Sequence, residues 1–502
     1  MLLRQIMDPK LAEYAYLIGC QATREALLID PQRDIDRYVD AAQAHGLRIT
    51  AVAETHIHAD FLSGARQFSE RYGTRIYLSA EGGEAWQSRW VEHPRLNGRP
   101  HDVVLVRDGD VFSIGDVELR VLHTPGHTPE HVSYVVTDHG AGATSPLGIA
   151  TGDFVFVGDL GRPDLLEQAA GLEGEQERSA RALFGSLPRF TALEDHVQVW
   201  PAHGAGSACG KALGAVPMTT VGYEKRYNAA LAAAGRGEDA FVGAILADQP
   251  EPPLYFARMK RQNRDGVPPL TELPRPRRLT LEELRAEGIP DQTIVLDTRL
   301  DRSLFMRAHL PGSLYAPLDR SFPTVVGSLV EDETAPITLV VDAGRADEAV
   351  RDLVRIGHDG VVSFLEPDTL VEYVARGGPA DRIEELAFAD LDFARTEPGA
   401  VVLDVRYASE YETGHVPGAV NASYTRLPDY LETRIPVSGT LLVHCAAGVR
   451  SAVASAFLAR AGRDVRFVNG SFASWRDAGG RVEAGGAAQA DGAAHAGGAA
   501  HA

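Results

Sequence analysis

Short apolar runs, each closed by polar turn residues, set the pattern of the N-terminal part of the chain. Tyr14-Ala15-Tyr16-Leu17-Ile18 and Ala26-Leu27-Leu28-Ile29-Asp30 are two such runs with turn residues between them, which predicts a β-hairpin over residues 14–30. Residues 36–44 have helical spacing. The run Leu47-Arg48-Ile49-Thr50-Ala51-Val52-Ala53 then predicts a strand. Further short strands are predicted at residues 103–106, 116–122 and 132–137, each bounded by Gly, Asp or Pro. A hairpin followed by a β-α-β run predicts a layered α/β fold.

The residues at the ends of these strands share one chemistry. Thr55-His56-Ile57-His58-Ala59-Asp60-Phe61 follows the strand at 47–53. In Thr124-Pro125-Gly126-His127-Thr128-Pro129-Glu130-His131 the Pro-Gly pair forces a turn after a strand and presents His127 at its tip. Ile149-Ala150-Thr151-Gly152-Asp153 predicts a strand ending on an exposed carboxylate, and Val197-Gln198-Val199-Trp200-Pro201-Ala202-His203-Gly204 a strand ending on a histidine. One such residue is more often part of a capped loop. Imidazoles and carboxylates at successive strand ends are what a metal ion needs.

Farther on, the pattern repeats. Val295-Leu296-Asp297-Thr298-Arg299 echoes Val402-Leu403-Asp404-Val405-Arg406, and His309-Leu310-Pro311-Gly312-Ser313 echoes His415-Val416-Pro417-Gly418-Ala419. This predicts two similar α/β units in tandem, the first opening at the capping-box sequence Thr280-Leu281-Glu282-Glu283. The run from Tyr223 to Tyr227 and the helical residues after it close the preceding domain. Residues 236–279, proline-rich with little periodicity, read as a linker. In the second unit a strand, Leu441-Leu442-Val443-His444, runs into a loop from Cys445 to Arg450, and a helix follows. Successive backbone N–H groups and the helix N-terminus then surround the sulfur and favour its anion. The equivalent stretch of the first unit, Leu339-Val340-Val341-Asp342-Ala343-Gly344-Arg345, has no cysteine and a shorter loop. That unit is expected to be silent, kept for packing, for presenting its neighbour, or for dimerisation.

The 502 residues suffice for about three domains. A net charge of −20 argues against a general nucleic-acid binder. Only Cys20, Cys209 and Cys445 are present, an odd and sparse set that is no disulfide framework and points to a reducing compartment. The residues from Met1 to Asp8 lack the apolar core of a signal peptide, and no apolar run is long enough to span a bilayer. A soluble, cytoplasmic protein is expected, with no nucleic-acid or membrane partner. Residues 481–502 are an Ala/Gly/His tail, expected to be disordered, with His495 and His501 incidental to it.

The order HxHxD, PGHT, GD, PxHG over residues 1–240 resembles the metallo-β-lactamase superfamily, which implies an αββα sandwich with a metal site on one edge. Within it, the Thr-His-Ile-His-Ala-Asp form, Gly161-Arg162-Pro163-Asp164 and the segment from Pro201 to Lys211 resemble persulfide dioxygenases. The two-metal hydrolases of the superfamily, such as glyoxalase II, have a histidine where this chain has Phe61, which cannot ligate; a single metal is expected. The resemblance implies one Fe(II) per N-terminal domain, held by His56, His127 and Asp153. Such a set leaves positions open for O2 and substrate. His58, Asp60 and His203 would orient ligands or substrate. Arg162 would anchor a substrate carboxylate through its planar fork. Cys209, just beyond His203, is either an inert buried thiol or, as the resemblance implies, a thiol near the iron pocket that holds or relays a persulfide.

Loops that run from a Cys to an Arg before a helix, here with four residues between Cys445 and Arg450, occur in Cys phosphatases and in rhodaneses. Asp404-Val405-Arg406, Glu410, Gly414-His415-Val416-Pro417-Gly418-Ala419, Asn421, Val468-Asn469-Gly470-Ser471 and Trp475 resemble rhodanese. Cys445 would then carry a persulfide, with Arg450, Arg406 and the loop residues Ala446, Ala447, Gly448 and Val449 holding the anionic acceptor. The whole resembles a bacterial persulfide dioxygenase–rhodanese fusion: a multidomain α/β chain with the dioxygenase domain at 1–240, the linker at 241–279, a silent rhodanese-like domain at 280–380 and an active one at 385–480, both with parallel sheets, and the tail at 481–502. The implied activity is oxidation of a low-molecular-weight persulfide by O2 to sulfite and thiol, with sulfur transfer at Cys445 that forms thiosulfate. A metal-dependent thioester hydrolase fused to a sulfurtransferase is the alternative. The family resemblance implies a homo-oligomer, dimer or tetramer.

Overall fold

The computed structural model describes residues 1–165 and 174–485. Most of the tail, residues 486–502 with His495 and His501, lies outside the described residues. Contacts group residues 1–278, 318–338 and 342–364 into one compact unit, and residues 279–317, 339–341 and 365–502 into another.

The first unit is built on two six-stranded sheets. One contains β1 (Leu2–Asp8), β2 (Glu13–Cys20), β3 (Glu25–Ile29), β4 (Arg48–Ala53), β5 (Arg75–Ser79) and β6 (Val103–Val106) in sequence order. The other contains β7 (Val111–Ile114), β8 (Val117–His123), β9 (Val132–Asp138), β10 (Gly148–Gly152), β11 (Gln198–Pro201) and β12 (Thr219–Thr220), also in sequence order across the sheet. The side-chain period of two sorts each strand. Tyr16, Ile18, Leu27, Ile29, Ala51 and Ala53 face Leu119, Val121, Tyr134 and Trp200 between the sheets. Their neighbours Ala15, Leu17, Leu28 and Val52 pack outward against Tyr38 and Phe68 of the helices Asp36–Gln43 and Ala65–Tyr72. On the far side Val135, Ile149 and Val199 pack against Leu183, Leu187 and Phe190 of the helix Glu175–Thr191. Strands covered on both faces are why these runs read as continuously apolar instead of alternating. This is the expected αββα sandwich.

The stretch 241–279, read as a linker, instead carries the helix Tyr255–Asp265, with Tyr255, Phe256 and Met259 buried. Its apolar residues span little more than one turn between flanking prolines, too short a stripe to register as periodicity. The Asn263 side chain donates to the carbonyls of His58 (2.8 Å) and Phe61 (2.7 Å) and accepts from the Ser63 N–H (2.8 Å), so this helix holds the histidine loop in place.

The tandem repeats share one topology. The sheet of β13 (Arg277–Arg278), β14 (Ile294–Asp297), β15 (Leu314–Tyr315), β16 (Ile337–Val340) and β17 (Val361–Leu365) has the order β13-β17-β16-β14-β15. The sheet of β18 (Glu384–Ala387), β19 (Ala400–Asp404), β20 (Val420–Asn421), β21 (Thr440–His444) and β22 (Asp464–Asn469) has the order β18-β22-β21-β19-β20, the same in series and parallel throughout its registered pairs. Arg299 clamps Asp297 and the Ala308 carbonyl; Arg406 clamps Asp404 and the Gly414 carbonyl. His309 stacks on Phe305 at 4.0 Å and His415 on Tyr411 at 3.7 Å. The capping box at Thr280 forms as expected.

Candidate metal centre and sulfur site

The loop after β4 is fixed by its own Thr55 and by polar side chains of neighbouring loops. Asp30 accepts from the Thr55 N–H (2.7 Å) and hydroxyl (2.8 Å). With its proton on Asp30, the Thr55 oxygen accepts from His56 Nδ1 at 2.9 Å, which leaves the lone pair on His56 Nε2. Glu130 accepts the Ile57 N–H at 2.8 Å and holds the backbone between the two histidines. His127 Nδ1 donates to the Arg162 carbonyl at 3.0 Å, so its lone pair also sits on Nε2. The turn before it requires glycine: Gly126 has φ +147, and a Cβ there would run into Leu183.

Asp153 is buried, not exposed as its place at a strand end implied, because the loops bearing His56 and His127 close over it. His131, four residues beyond His127 and not singled out by its spacing, fixes it. The Asp153 N–H donates to His131 Nε2 at 3.0 Å, and His131 Nδ1 donates to Thr124 Oγ1 at 2.8 Å. Burial drives the His131 pKa down to about 3, so it stays a neutral acceptor. The ligand-type atoms of His56, His127 and Asp153 all lie within 4.8 Å of one another. Both Asp153 carboxylate oxygens are buried without a hydrogen-bond partner. The Nε2 lone pair of His127 faces Asp153 Oδ2 at 3.4 Å. Lone pairs turned on one another in a buried site are stabilised by a cation between them, and these three residues fit a metal. Burial, together with the surrounding imidazoles, holds His56 well below the usual histidine range, the neutral state a ligand needs. Burial also lowers His127. For Asp153 burial alone would raise the pKa; His203 and His127 more than offset it and hold it below the usual carboxylate range.

Of the residues expected to orient this centre, His58 turns away from it. Its Nε2 lies between Glu54 Oε2 (3.0 Å) and Asp30 Oδ1 (3.2 Å), and the two carboxylates raise its pKa well above the usual range against the effect of burial. Asp60 and His203 instead form a second convergent group with Cys209, all buried. His203 Nδ1 donates to the Ala12 carbonyl at 3.3 Å, and its Nε2 faces Asp60 Oδ2 at 3.4 Å and Asp153 Oδ1 at 3.5 Å. Burial pushes the Cys209 thiol well up, and the carboxylates of Asp153 and Asp60 add to that. Phe61 is buried against His58, with ring centroids 4.3 Å apart.

Arg162 has a different place from the one expected. It is buried, with Nε and Nη2 on the two Asp164 oxygens (2.9 and 2.6 Å), Nη2 also on the Pro250 carbonyl and Nη1 on the Ala208 carbonyl. Its backbone N–H donates to the Cys209 carbonyl at 3.3 Å. The guanidinium is therefore engaged with the protein, and it ties the Cys209 loop to the carbonyl that orients His127. Arg406 likewise is committed to Asp404 and Gly414, with its guanidinium 4.2 Å over the Phe472 ring. Arg299 makes the same clamp in the repeat without a nucleophile, so this geometry assigns Arg406 to the fold in place of the expected acceptor contact.

At the Cys445 loop one backbone N–H and one hydroxyl reach the sulfur, where a ring of successive N–H groups was expected. The Gly448 N–H donates to Cys445 Sγ at 3.1 Å and the Ser451 hydroxyl at 3.4 Å. The Phe472 N–H takes the Ala446 carbonyl at 3.0 Å, keeping it off the sulfur. Val449 opens the helix Val449–Arg460, so its N-terminus points at the site. Arg450 is paired in both nitrogens with Glu410 (2.5 and 2.8 Å). The corresponding loop of the first repeat is a single 3₁₀ turn, Ala343–Arg345, running into the helix Ala346–Arg355.

Comparison with known proteins agrees with this geometry. Residues 9–203 match the metallo-β-lactamase superfamily and residues 389–478 the rhodanese-like domain. A crystal structure of a metallo-β-lactamase from Staphylococcus aureus is 37% identical, covers 73% of this chain and 99% of its own, and superposes with a TM-score of 0.63. The mitochondrial persulfide dioxygenase of Bos taurus is 30% identical over 205 residues, 40% of this chain and 68% of that protein. A β-lactamase hydrolase-like protein of Xylella fastidiosa is 32% identical over 255 residues, 47% of this chain; the chain spans only 53% of that relative's length. Among the described residues no helix is long and apolar enough to cross a membrane. With a sandwich fold, a strand-end ligand cluster and a relative of which it covers two thirds all in agreement, the chain belongs to the metallo-β-lactamase superfamily and carries a rhodanese-like domain behind that fold.

Proposed function

We propose that the first domain is a non-haem Fe(II) persulfide dioxygenase and that Cys445 is the nucleophile of a coupled sulfurtransferase. The observation that carries the reading is the donor set itself: two neutral imidazoles and one buried carboxylate with both oxygens unpartnered. Fe(II) held by His56, His127 and Asp153 would supply one-electron chemistry with O2 at the positions this set leaves open. The chain's own residues do the rest. Thr55 and the Arg162 carbonyl fix the two imidazole tautomers, and His131 fixes the carboxylate through its backbone N–H. The overall change is a low-molecular-weight persulfide plus O2 and water to sulfite, thiol and two protons.

At the second site the Cys445 thiolate attacks the sulfane sulfur of a persulfide; the S–S bond breaks and the carrier leaves as a thiol. The persulfide anion on Cys445 lies against the Gly448 N–H and the Ser451 hydroxyl. Sulfite then attacks the outer sulfur, thiosulfate leaves, and the thiolate returns. Cys445→Ser should therefore abolish thiosulfate formation from persulfide and O2 while O2 uptake continues. The first test is O2 consumption by anaerobically purified, iron-quantified protein given glutathione persulfide, beside Asp153→Ala. Uptake in proportion to iron, lost in the variant, is expected. No uptake with several persulfides at full iron occupancy overturns the dioxygenase reading.

A second reading rests on the Asp60, His203 and Cys209 cluster, which supplies a thiolate-type ligand where Phe61 supplies none. Two metal ions and metal-bound hydroxide would make a thioester hydrolase. Two equivalents of zinc with thioester turnover would favour it over the iron reading.

A further inference from the structure

The repeat that lacks a nucleophile reaches the loop that has one. Its helix Arg302–Arg307 is N-capped by Asp301, whose side chain accepts from the Ser303 and Leu304 N–H groups. That cap aims Arg302 at the Cys445 loop. Arg302 Nε donates to Asn469 Oδ1 at 2.9 Å and Nη2 to the Ala447 carbonyl at 3.3 Å. Asn469 is steadied in turn, its Nδ2 donating to Glu385 Oε1 at 2.6 Å, an oxygen that also accepts from the Ser303 hydroxyl at 3.1 Å.

The Ala447 carbonyl and the Gly448 N–H belong to one peptide. A trans peptide is planar, with its C=O and N–H pointing in opposite directions. Arg302 therefore grips the carbonyl end while the N–H end donates to Cys445 Sγ at 3.1 Å. Gly448, at φ +93, packs so tightly here that a Cβ would lie 2.7 Å from Asn469 Oδ1 and 3.0 Å from Arg302 Nε and Nη2. Both hydrogen bonds of Arg302 go to neutral oxygens, whereas Arg450 is paired with the Glu410 carboxylate. Arg302 thus adds a positive charge at the carbonyl end of this peptide, beside the N-terminus of the helix Val449–Arg460.

We propose that Arg302 is a positioning residue for Cys445: it holds the Ala447–Gly448 peptide with its N–H on the sulfur, and its charge polarises that amide toward the thiolate and persulfide anions. This gives the silent repeat a part in the sulfur chemistry, and it rests on the reading of Cys445 as the sulfur-transfer nucleophile. No electrons or atoms move at Arg302; it acts through the peptide alone.

The test uses the full chain as wild type, Arg302→Gln, Arg302→Lys and Glu385→Gln, with iodoacetamide alkylation of Cys445 followed peptide by peptide from pH 6 to 10. Arg302→Gln should slow alkylation about threefold near neutral pH, as for other single charges at a helix terminus, and displace the pH profile toward alkaline values. Arg302→Lys should restore most of the rate, because the charge returns. Glu385→Gln, which loosens Asn469 and leaves the guanidinium in place, should leave the profile near wild type. Equal slowing in Glu385→Gln and Arg302→Gln, without rescue by lysine, would reduce Arg302 to a packing contact and overturn the proposal; so would an unchanged profile in Arg302→Gln. Failure of the wild-type chain to transfer sulfane sulfur would sink the sulfurtransferase reading instead, since alkylation reads the thiolate directly.

Discussion

Replacing His131 with phenylalanine tests how the carboxylate of the metal centre is held. The ring is buried, and phenylalanine puts a flat but larger ring there that accepts no hydrogen bond. The buried Asp153 N–H then loses its acceptor at 3.0 Å. An orphaned buried donor costs about 1–3 kcal/mol. Thr124 keeps the Ser133 hydroxyl at 3.0 Å, so a single group is stranded. The cost falls on the residue that supplies the anionic ligand, and metal affinity should drop on the order of 10–100-fold, as for other outer partners of ligands. Chelator competition on the metal-loaded protein reads this directly, with thermal unfolding run alongside. His131→Gln returns an acceptor and should recover part of the affinity. Were His131→Phe to bind metal as tightly as the wild type while remaining folded, the Asp153 backbone would be held by something other than this ring and the account of the site would fail.

Two further outcomes follow from buried groups elsewhere. Burial and the neighbouring Arg258 hold His358 down to about 3 against a reference of 6.5, so its contribution to stability is complete above pH 6.5 and is lost as the pH falls toward 3. Between pH 6.5 and 5 that loss is about 2 kcal/mol, and urea unfolding at the two pH values should show His358→Gln less acid-sensitive than the wild type; equal sensitivity would refute it. Gly448→Ala places a methyl group against Asn469 and Arg302 at a φ that L-residues avoid. It should abolish sulfur transfer while O2 uptake by the first domain is unaffected, and retained transfer would show the cradle to be more pliant than its geometry implies.

The parts of the sites that were legible in the sequence are those carried by local runs. His56 and His127 stand on loops whose motifs fit in one short window, and the Pro-Gly turn before His127 explains itself. The Cys445 loop was legible for the same reason, strand, cradle and helix being contiguous. What escaped notice depends on partners far along the chain. His131 sits in the same motif as His127, and nothing in the spacing says that one turns its ring to a backbone N–H. Asn263 lies in what reads as a linker, yet it binds the carbonyls on either side of the histidine loop. Arg162 looks free as a lone residue; the signal that it is not is Asp164, two positions on, which takes its fork. Of the fold, the strands with apolar runs were legible, while β1, β5 and β7 were not: β1 and β7 carry half-exposed residues that blur the contrast on which a pattern depends. β5, largely buried, is only five residues long.

The shared strand order of the tandem repeats makes the chain its own natural experiment. Two copies of one architecture stand in one chain, and only one carries a nucleophile. The features common to both, the Asp–Arg clamp and the histidine stacked on an aromatic ring, are what the fold demands whether or not any sulfur is moved. One difference lies between strand and helix, where the loop that offers the Gly448 N–H to Cys445 in one copy is a 3₁₀ turn in the other. A single residue would not rebuild the site: a cysteine grafted at Asp342 would stand at the head of the 3₁₀ turn Ala343–Arg345, without the loop that carries Gly448 in the other copy. A repeat that moves no sulfur still forms part of the wall of its neighbour's site, through the arginine it extends to the Ala447–Gly448 peptide.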